Sequence, residues 1–237
     1  MVRPNATETQ PKRPTCIDDE LARTLSQDVD QRMTAANTLG ALGQLNAGVV
    51  PALHRLLQDQ SETVRYSAAQ ALGKMGKAAH ICLSGLGQLL RDKNQLVREH
   101  AALALRNIAP LPVASIQALR LGLADYNPKV REHIAAAFAK SGKAAQPALD
   151  VLCEALADQE ESVRWYAAAA LGGIGVEAKC AVPQLVTAYM SDIDIIREAA
   201  QDALRRIEPG LNPKPIQNIY RARRNNAERS RGANNDI

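Results

Sequence analysis

An all-α fold is predicted by three features of the sequence: an alanine-rich and aromatic-poor composition, an internal repeat, and the helical spacing of apolar residues inside each repeat. Of the 237 residues 46% are hydrophobic, enough to bury a sizeable core and too many for a disordered chain. There are 41 alanines against seven aromatic residues, Phe138, Trp165 and tyrosines 66, 126, 166, 189 and 220. That balance suits closely packed helices better than the aromatic and β-branched cores of sheets.

The repeat emerges by aligning on arginine. Arg32, Arg65, Arg98, Arg131, Arg164 and Arg197 stand 33 residues apart with no insertion. Five of them follow an aliphatic residue (Val64, Val97, Val130, Val163 and Ile196), and Leu39, Leu72, Leu105, Phe138, Leu171 and Leu204 come seven positions after the arginines. At about 100° of rotation per residue, positions −1, +3, +7 and +10 from the arginine share one narrow stripe, as in a helix buried on one side. This is helix B of each unit. Gly43, Gly76, Gly142 and Gly175 stand at +11, where a helix closes in the left-handed conformation. A second apolar pattern then begins, as in Val50, Leu53, Leu56 and Leu57 or Val182, Leu185 and Val186, and forms helix A of the next unit. Short polar links such as 59–62 and 125–128 join A to B, with Pro128 in a first turn, where its missing N–H costs nothing.

A single hairpin of this kind cannot bury its stripe, whereas stacked hairpins share a continuous core. The expected architecture is a right-handed α-solenoid of six 33-residue helix pairs over residues 18–208, with an extended, proline-punctuated arm at 1–17 and a basic tail at 209–237. The strings VRYSAAQALGKMG, VREHAALALRNIA and SVRWYAAAALGGIG resemble HEAT repeats, and most closely the short HEAT-like repeats of the phycobilisome-lyase type. The resemblance spans about four fifths of the chain. It implies HEAT-like helix pairs with the B helices along the concave face, in a family that includes scaffolds, lyase subunits and a few enzymes.

Charge is segregated. Residues 18–208 carry 20 Lys/Arg against 22 Asp/Glu, whereas 209–237 carry six against two. Any nucleic-acid binding is therefore expected in the C-terminal tail and not in the repeats. No apolar run approaches the ~20 residues that span a bilayer, and the first 15 residues are not signal-like, so a cytoplasmic or organelle-stroma setting is expected. Cys16, Cys82, Cys153 and Cys180 form no CxxC pair and read as reduced thiols.

The six arginines in register invite a phosphate-tracking reading. Asp59, Asp92, Asp125 and Asp158, each six residues before an arginine, with Asp192 near the same slot, favour an internal Asp/Arg ladder instead. Position +1 lies roughly 165° from the core stripe by the same helical arithmetic. Its occupants are Met33, Tyr66, Glu99, Glu132, Trp165 and Glu198, and position +2 adds Thr34, Ser67, His100, His133 and Tyr166. Large side chains on one exposed strip mark a recognition surface; for +2 the alternative is packing between neighbouring B helices. The candidate partner-binding residues are thus Tyr66, Glu99, His100, Glu132, His133, Trp165, Tyr166 and Glu198.

The two ArgGluHis copies at 98–100 and 131–133 are similar to the His-Glu pairs of deoxyhypusine hydroxylase, a HEAT-type iron enzyme, but with the order reversed and too few pairs, so no metal is expected. No phosphate-cradling glycine loop, nucleophile elbow or HExxH is found, and no cofactor or catalytic residue is assigned. In the tail, Ile216, Ile219 and Tyr220 with Arg221, Arg223 and Arg224 could form a short docking helix, or remain a solvated basic segment. The leading expectation is a non-catalytic protein-binding scaffold or assembly factor acting on another protein or a multi-subunit complex. The resemblance makes a phycobiliprotein a candidate client and a phycobilin lyase or chromophore-detaching factor the alternative, with a nucleic-acid-binding HEAT protein as the lesser one.

Overall fold

The structure is a computed structural model, described here for residues 16–43, 47–191 and 193–210. The arm up to residue 15, Asp192 and the tail from residue 211, including Ile216, Ile219, Tyr220, Arg221, Arg223 and Arg224, lie outside the described residues.

Twelve α-helices pair into six units among the described residues. The units are α1 (Ile17–Arg23) with α2 (Val29–Leu42), α3 (Val49–Leu56) with α4 (Glu62–Met75), α5 (Leu83–Leu89) with α6 (Gln95–Ile108), α7 (Val113–Leu119) with α8 (Pro128–Ser141), α9 (Leu149–Ala155) with α10 (Glu161–Ile174), and α11 (Val182–Tyr189) with α12 (Asp194–Ile207). The B helices are all 14 residues long, whereas the A helices have seven or eight. The A layer is less regular than the spacing predicts. Units three, five and six enter it through 3-10 turns (Gly76–Cys82, Gly142–Ala148 and Gly175–Ala181), and α7 continues into one at Arg120–Ala124. The buried small residues Ala79, Ala145 and Ala178 sit in the three entry turns.

Local chemistry sets the helix ends. Asp28, Asn94 and Asn127 cap α2, α6 and α8 by accepting backbone N–H bonds two residues on, and Pro128 occupies the first turn of α8. Gly43, Gly76, Gly142 and Gly175 are the only residues with positive φ among those described, from 54° to 82°, so these four turns need glycine.

The predicted stripe is the core. Positions −1, +3 and +7 of units two to six are at most 1% exposed, including Val97, Ala101, Leu105 and Phe138. Neighbouring B helices approach until their backbones nearly touch: a Cβ built on Gly40 would lie 2.6 Å from Ala71 Cβ, and one on Gly172 would lie 2.9 Å from Ala203 Cα. Position +8 of one unit therefore rests on +6 of the next. In unit one +6 is Thr38 and in unit six +8 is Arg205, so both terminal B helices present a polar residue on their outer flank, whereas the inner units carry alanine at +6 and glycine, arginine or alanine at +8. The B helices thus form one closely packed row along a face of the α-solenoid.

Candidate functional site

The repeated arginines are committed to structure. Arg32, Arg65, Arg98 and Arg131 each donate through Nε, at 2.6–2.7 Å, to the aspartate of the following unit, Asp59, Asp92, Asp125 and Asp158. Each also donates through Nη1 to the carbonyl six residues earlier, at 2.8–2.9 Å. One guanidinium thus ties its own A–B link to the next. Each aspartate also accepts the backbone N–H two residues on, which shapes that link. Burial pushes the carboxyls of Asp59, Asp92 and Asp158 upward, but the bonds from arginine and backbone outweigh it and hold them below the usual carboxylate range. Arg164 holds the carbonyls of Asp158 and Gln159; the counterpart expected for it, Asp192, is outside the described residues. With their guanidiniums saturated in this way, the four paired arginines do not form a phosphate track.

Positions +1 and +2 behave differently. Tyr66 is half-buried and meets His100 of the next unit edge to face, with ring centroids 4.3 Å apart. Trp165 packs likewise on Tyr166 at 4.6 Å. Two open grooves flank these contacts. One, of about 530 Å³, is lined by Met33, Tyr66, Gln70, Lys74 and Leu96 among others; the other, of about 410 Å³, by Trp165, Ala169, Ile195, Glu198, Asp202 and Arg206. Each groove therefore offers one large aromatic wall and a few charged groups.

Between the grooves lies a polar cluster centred on Arg106. Its Nη2 donates to the Tyr166 hydroxyl at 3.0 Å, Nη1 is 3.4 Å from His133 Nδ1, and Glu132 is 3.9 Å away. The guanidinium also lies 5.5 Å from the Tyr166 ring centre, so one side chain links units three, four and five. Glu132 accepts bonds from Lys129 at 2.8 Å and Ser162 at 3.1 Å, and Glu99 accepts one from Asn127 at 2.9 Å. Burial raises the Glu132 carboxyl, yet its Lys129 and Ser162 bonds keep it below the ordinary range. Burial first, and then Arg106, depress the His133 imidazole, which is only 9% exposed and neutral near pH 7. His100 is lowered by burial, and its Nδ1 is enclosed without a hydrogen-bond partner among the described residues.

The eight candidate residues thus divide. Tyr66, Trp165 and Glu198 line grooves, Glu99, Glu132 and Tyr166 sit half-buried in hydrogen-bonded pairs, and His100 and His133 pack between B helices, as position +2 allowed. Arg106 was not singled out for this site from the sequence. The signal was available at +8, where units one, two and five carry glycine and unit three carries this arginine. No group of three or more His, Cys, Asp or Glu among the described residues is placed to share a metal ion. No described helix is long and apolar enough to cross a membrane.

Known proteins share this architecture. The family model described as HEAT repeats matches residues 19–106 and 116–205. An engineered protein superposes with a TM-score of 0.67 at 24% identity, over 82% of this chain and 97% of its own. A designed armadillo repeat protein in complex with the peptide (KR)4 gives 0.70 at 21% identity, over 82% of this chain and all of that one. The complex of CpcE and CpcF of phycocyanin lyase from Nostoc sp. PCC7120 gives 0.57 at 24% identity, over 87% and 82%. A search of curated proteins finds no match. Likeness at such identities concerns the fold alone, but the family match follows the repeat array through both halves, and on that ground the chain belongs to the HEAT-repeat family.

Proposed function

We propose that the protein is a non-catalytic scaffold or assembly factor that receives a segment of another protein, or of a multi-subunit complex, along its B-helix face. One observation carries the reading. A chain with a single tryptophan and few tyrosines holds Trp165 and Tyr66 half-exposed in two grooves on that face, with Glu99 and Glu132 on the strip between them. Aromatic anchors of this kind dominate binding energy where they enter a partner's pockets or are covered by its side chains. Fold likeness to a designed armadillo repeat protein solved with a bound peptide supports a peptide-like occupant. The four paired arginines contribute architecture and not contacts.

The test compares partner recovery by immobilised wild type and by a Tyr66→Ala, Trp165→Ala double variant with an unchanged helical circular dichroism spectrum. At least a tenfold loss of recovery is expected from two truncated anchors, and equal recovery would refute the strip. A second reading, a phycobilin lyase or chromophore-detaching factor with a phycobiliprotein as client, is supported by the fold likeness to the phycocyanin lyase complex. A free bilin added to the protein separates the two: a red shift or fluorescence gain favours the second, and an unchanged spectrum leaves the scaffold reading.

A further inference from the structure

We propose that Cys153 and Cys180 form a redox-modification site, a dithiol across the outer layer of units five and six that closes to a disulfide when a hydroperoxide reaches it. Cys153 is on α9, and Cys180 is in the 3-10 turn Gly175–Ala181 that opens unit six and packs against α9. A-layer residues of successive units meet at separations of 28 and 32 residues, as Gly85 does with Leu57 and Gly122 with Leu90. The two cysteines, 27 residues apart, fall close to this register, and Cys180 is near enough to Cys153 to help raise its thiol. Access is unequal, because Cys180 is exposed and Cys153 half-buried. Cys82 is enclosed in unit three, and Cys16 stands at the opposite end of the repeat array.

That asymmetry assigns the roles. The Cys180 thiolate attacks the terminal oxygen of the hydroperoxide; an S–O bond forms, the O–O bond breaks, and the departing alkoxide takes a proton. Cys180 is then a sulfenic acid. The Cys153 sulfur attacks the sulfenic sulfur; an S–S bond forms, the S–O bond breaks, and the hydroxyl leaves as water with the Cys153 proton. Two thiols and one hydroperoxide thus give one disulfide, one alcohol and one water. Burial pushes the Cys153 thiol up to about 11, with the neighbouring Cys180, Asp150 and Glu154 adding to the effect, which suits a resolving group better than an attacking one. The bridge would cross the outer layer of the two units whose inner helices, α10 and α12, line the Trp165 groove. Its formation is independent of partner binding.

The experiment treats the full chain with graded hydrogen peroxide and reads intact mass, a non-reducing peptide map and circular dichroism. The wild type is expected to lose about 2 Da, to yield one linked peptide pair joining Cys153 to Cys180, and to regain its free thiols with dithiothreitol. Cys153→Ser should instead gain about 16 Da at Cys180, trapped by dimedone, and Cys180→Ser should show neither change. A folded wild type that keeps four free thiols overturns the proposal. So does a Cys180 that proceeds to sulfinic acid without passing through the bridge, or a bridge made through Cys16.

Discussion

Replacing Asp92 by alanine removes the carboxylate from the most enclosed rung of the ladder. The Arg65 and Asp92 side chains are 11% and 7% exposed, with Nε–Oδ2 at 2.6 Å and Nη2–Oδ1 at 3.0 Å. Breaking an ion pair buried this deeply by deleting one partner costs about 3–5 kcal/mol, because the remaining charge stays desolvated. Arg65 keeps the carbonyls of Asp59 and Gln60, at 2.8 and 3.0 Å, which places the expected loss at the lower end, about 3 kcal/mol. For a folded region of this size that is a fall of roughly 6–12 °C in melting midpoint. Solenoids unfold unit by unit when one interface is weakened, so two probes are needed. Far-ultraviolet circular dichroism follows all the helices, whereas fluorescence of the single tryptophan, Trp165, follows unit five. Denaturant titration of Asp92→Ala should separate the two signals, with helix loss preceding the Trp165 change. A double-mutant cycle with Arg65→Met should give a coupling of about 2 kcal/mol, within the usual range for hydrogen-bonded neighbours. A coupling below about 0.5 kcal/mol, the level of an exposed surface pair, would refute the ladder as the tie between units.

Other outcomes follow from the same geometry. Gly40→Ala sets a methyl 2.6 Å from Ala71 Cβ, so it should cost about 1–3 kcal/mol in chemical denaturation despite a helix-propensity gain of about 1. His133 is held neutral in the fold, so the unfolded state binds the extra proton below its ordinary value of 6.5; stability should fall as pH drops through 6.5 toward the lowered folded value, and His133→Gln should flatten that slope. The ladder carboxylates, held low in the fold, lose their contribution as pH falls through 3.8 toward their lowered folded values. In Arg106→Met the His133 titration, read by NMR, should move up, because a cation facing the ring is gone. Truncation after Pro209 should abolish salt-sensitive binding to a polyanion; four tail cations would account for roughly a hundredfold loss across a fivefold rise in salt, and binding that survives the deletion would move the charge contact to the repeats.

The fold was legible because one arithmetic runs through it. A 33-residue period, a stripe at −1, +3 and +7, and glycine at +11 are local rules repeated often enough to be read without any tertiary information. The site was less so. Helical angle places Glu132 and Trp165 away from the core stripe, but it says nothing of the neighbouring B helices, among which both are half-buried and His133 at +2 is enclosed. Arg106 shows the limit best. Its role depends on reaching Tyr166, 60 residues onward, across an intervening unit, and no window of sequence contains that distance.

The ladder also makes the two rims of the solenoid mechanically unlike. Along the rim of the A–B links, one unit is tied to the next by bonds of 2.6–2.7 Å from Arg32 through Asp158; along the opposite rim run glycine turns, with no repeated ion pair among the described residues. A stack bound on one edge opens as a book does, about its spine. Spreading the B-helix face to admit a larger guest would therefore be taken up at the glycine rim, while the tied rim keeps its length.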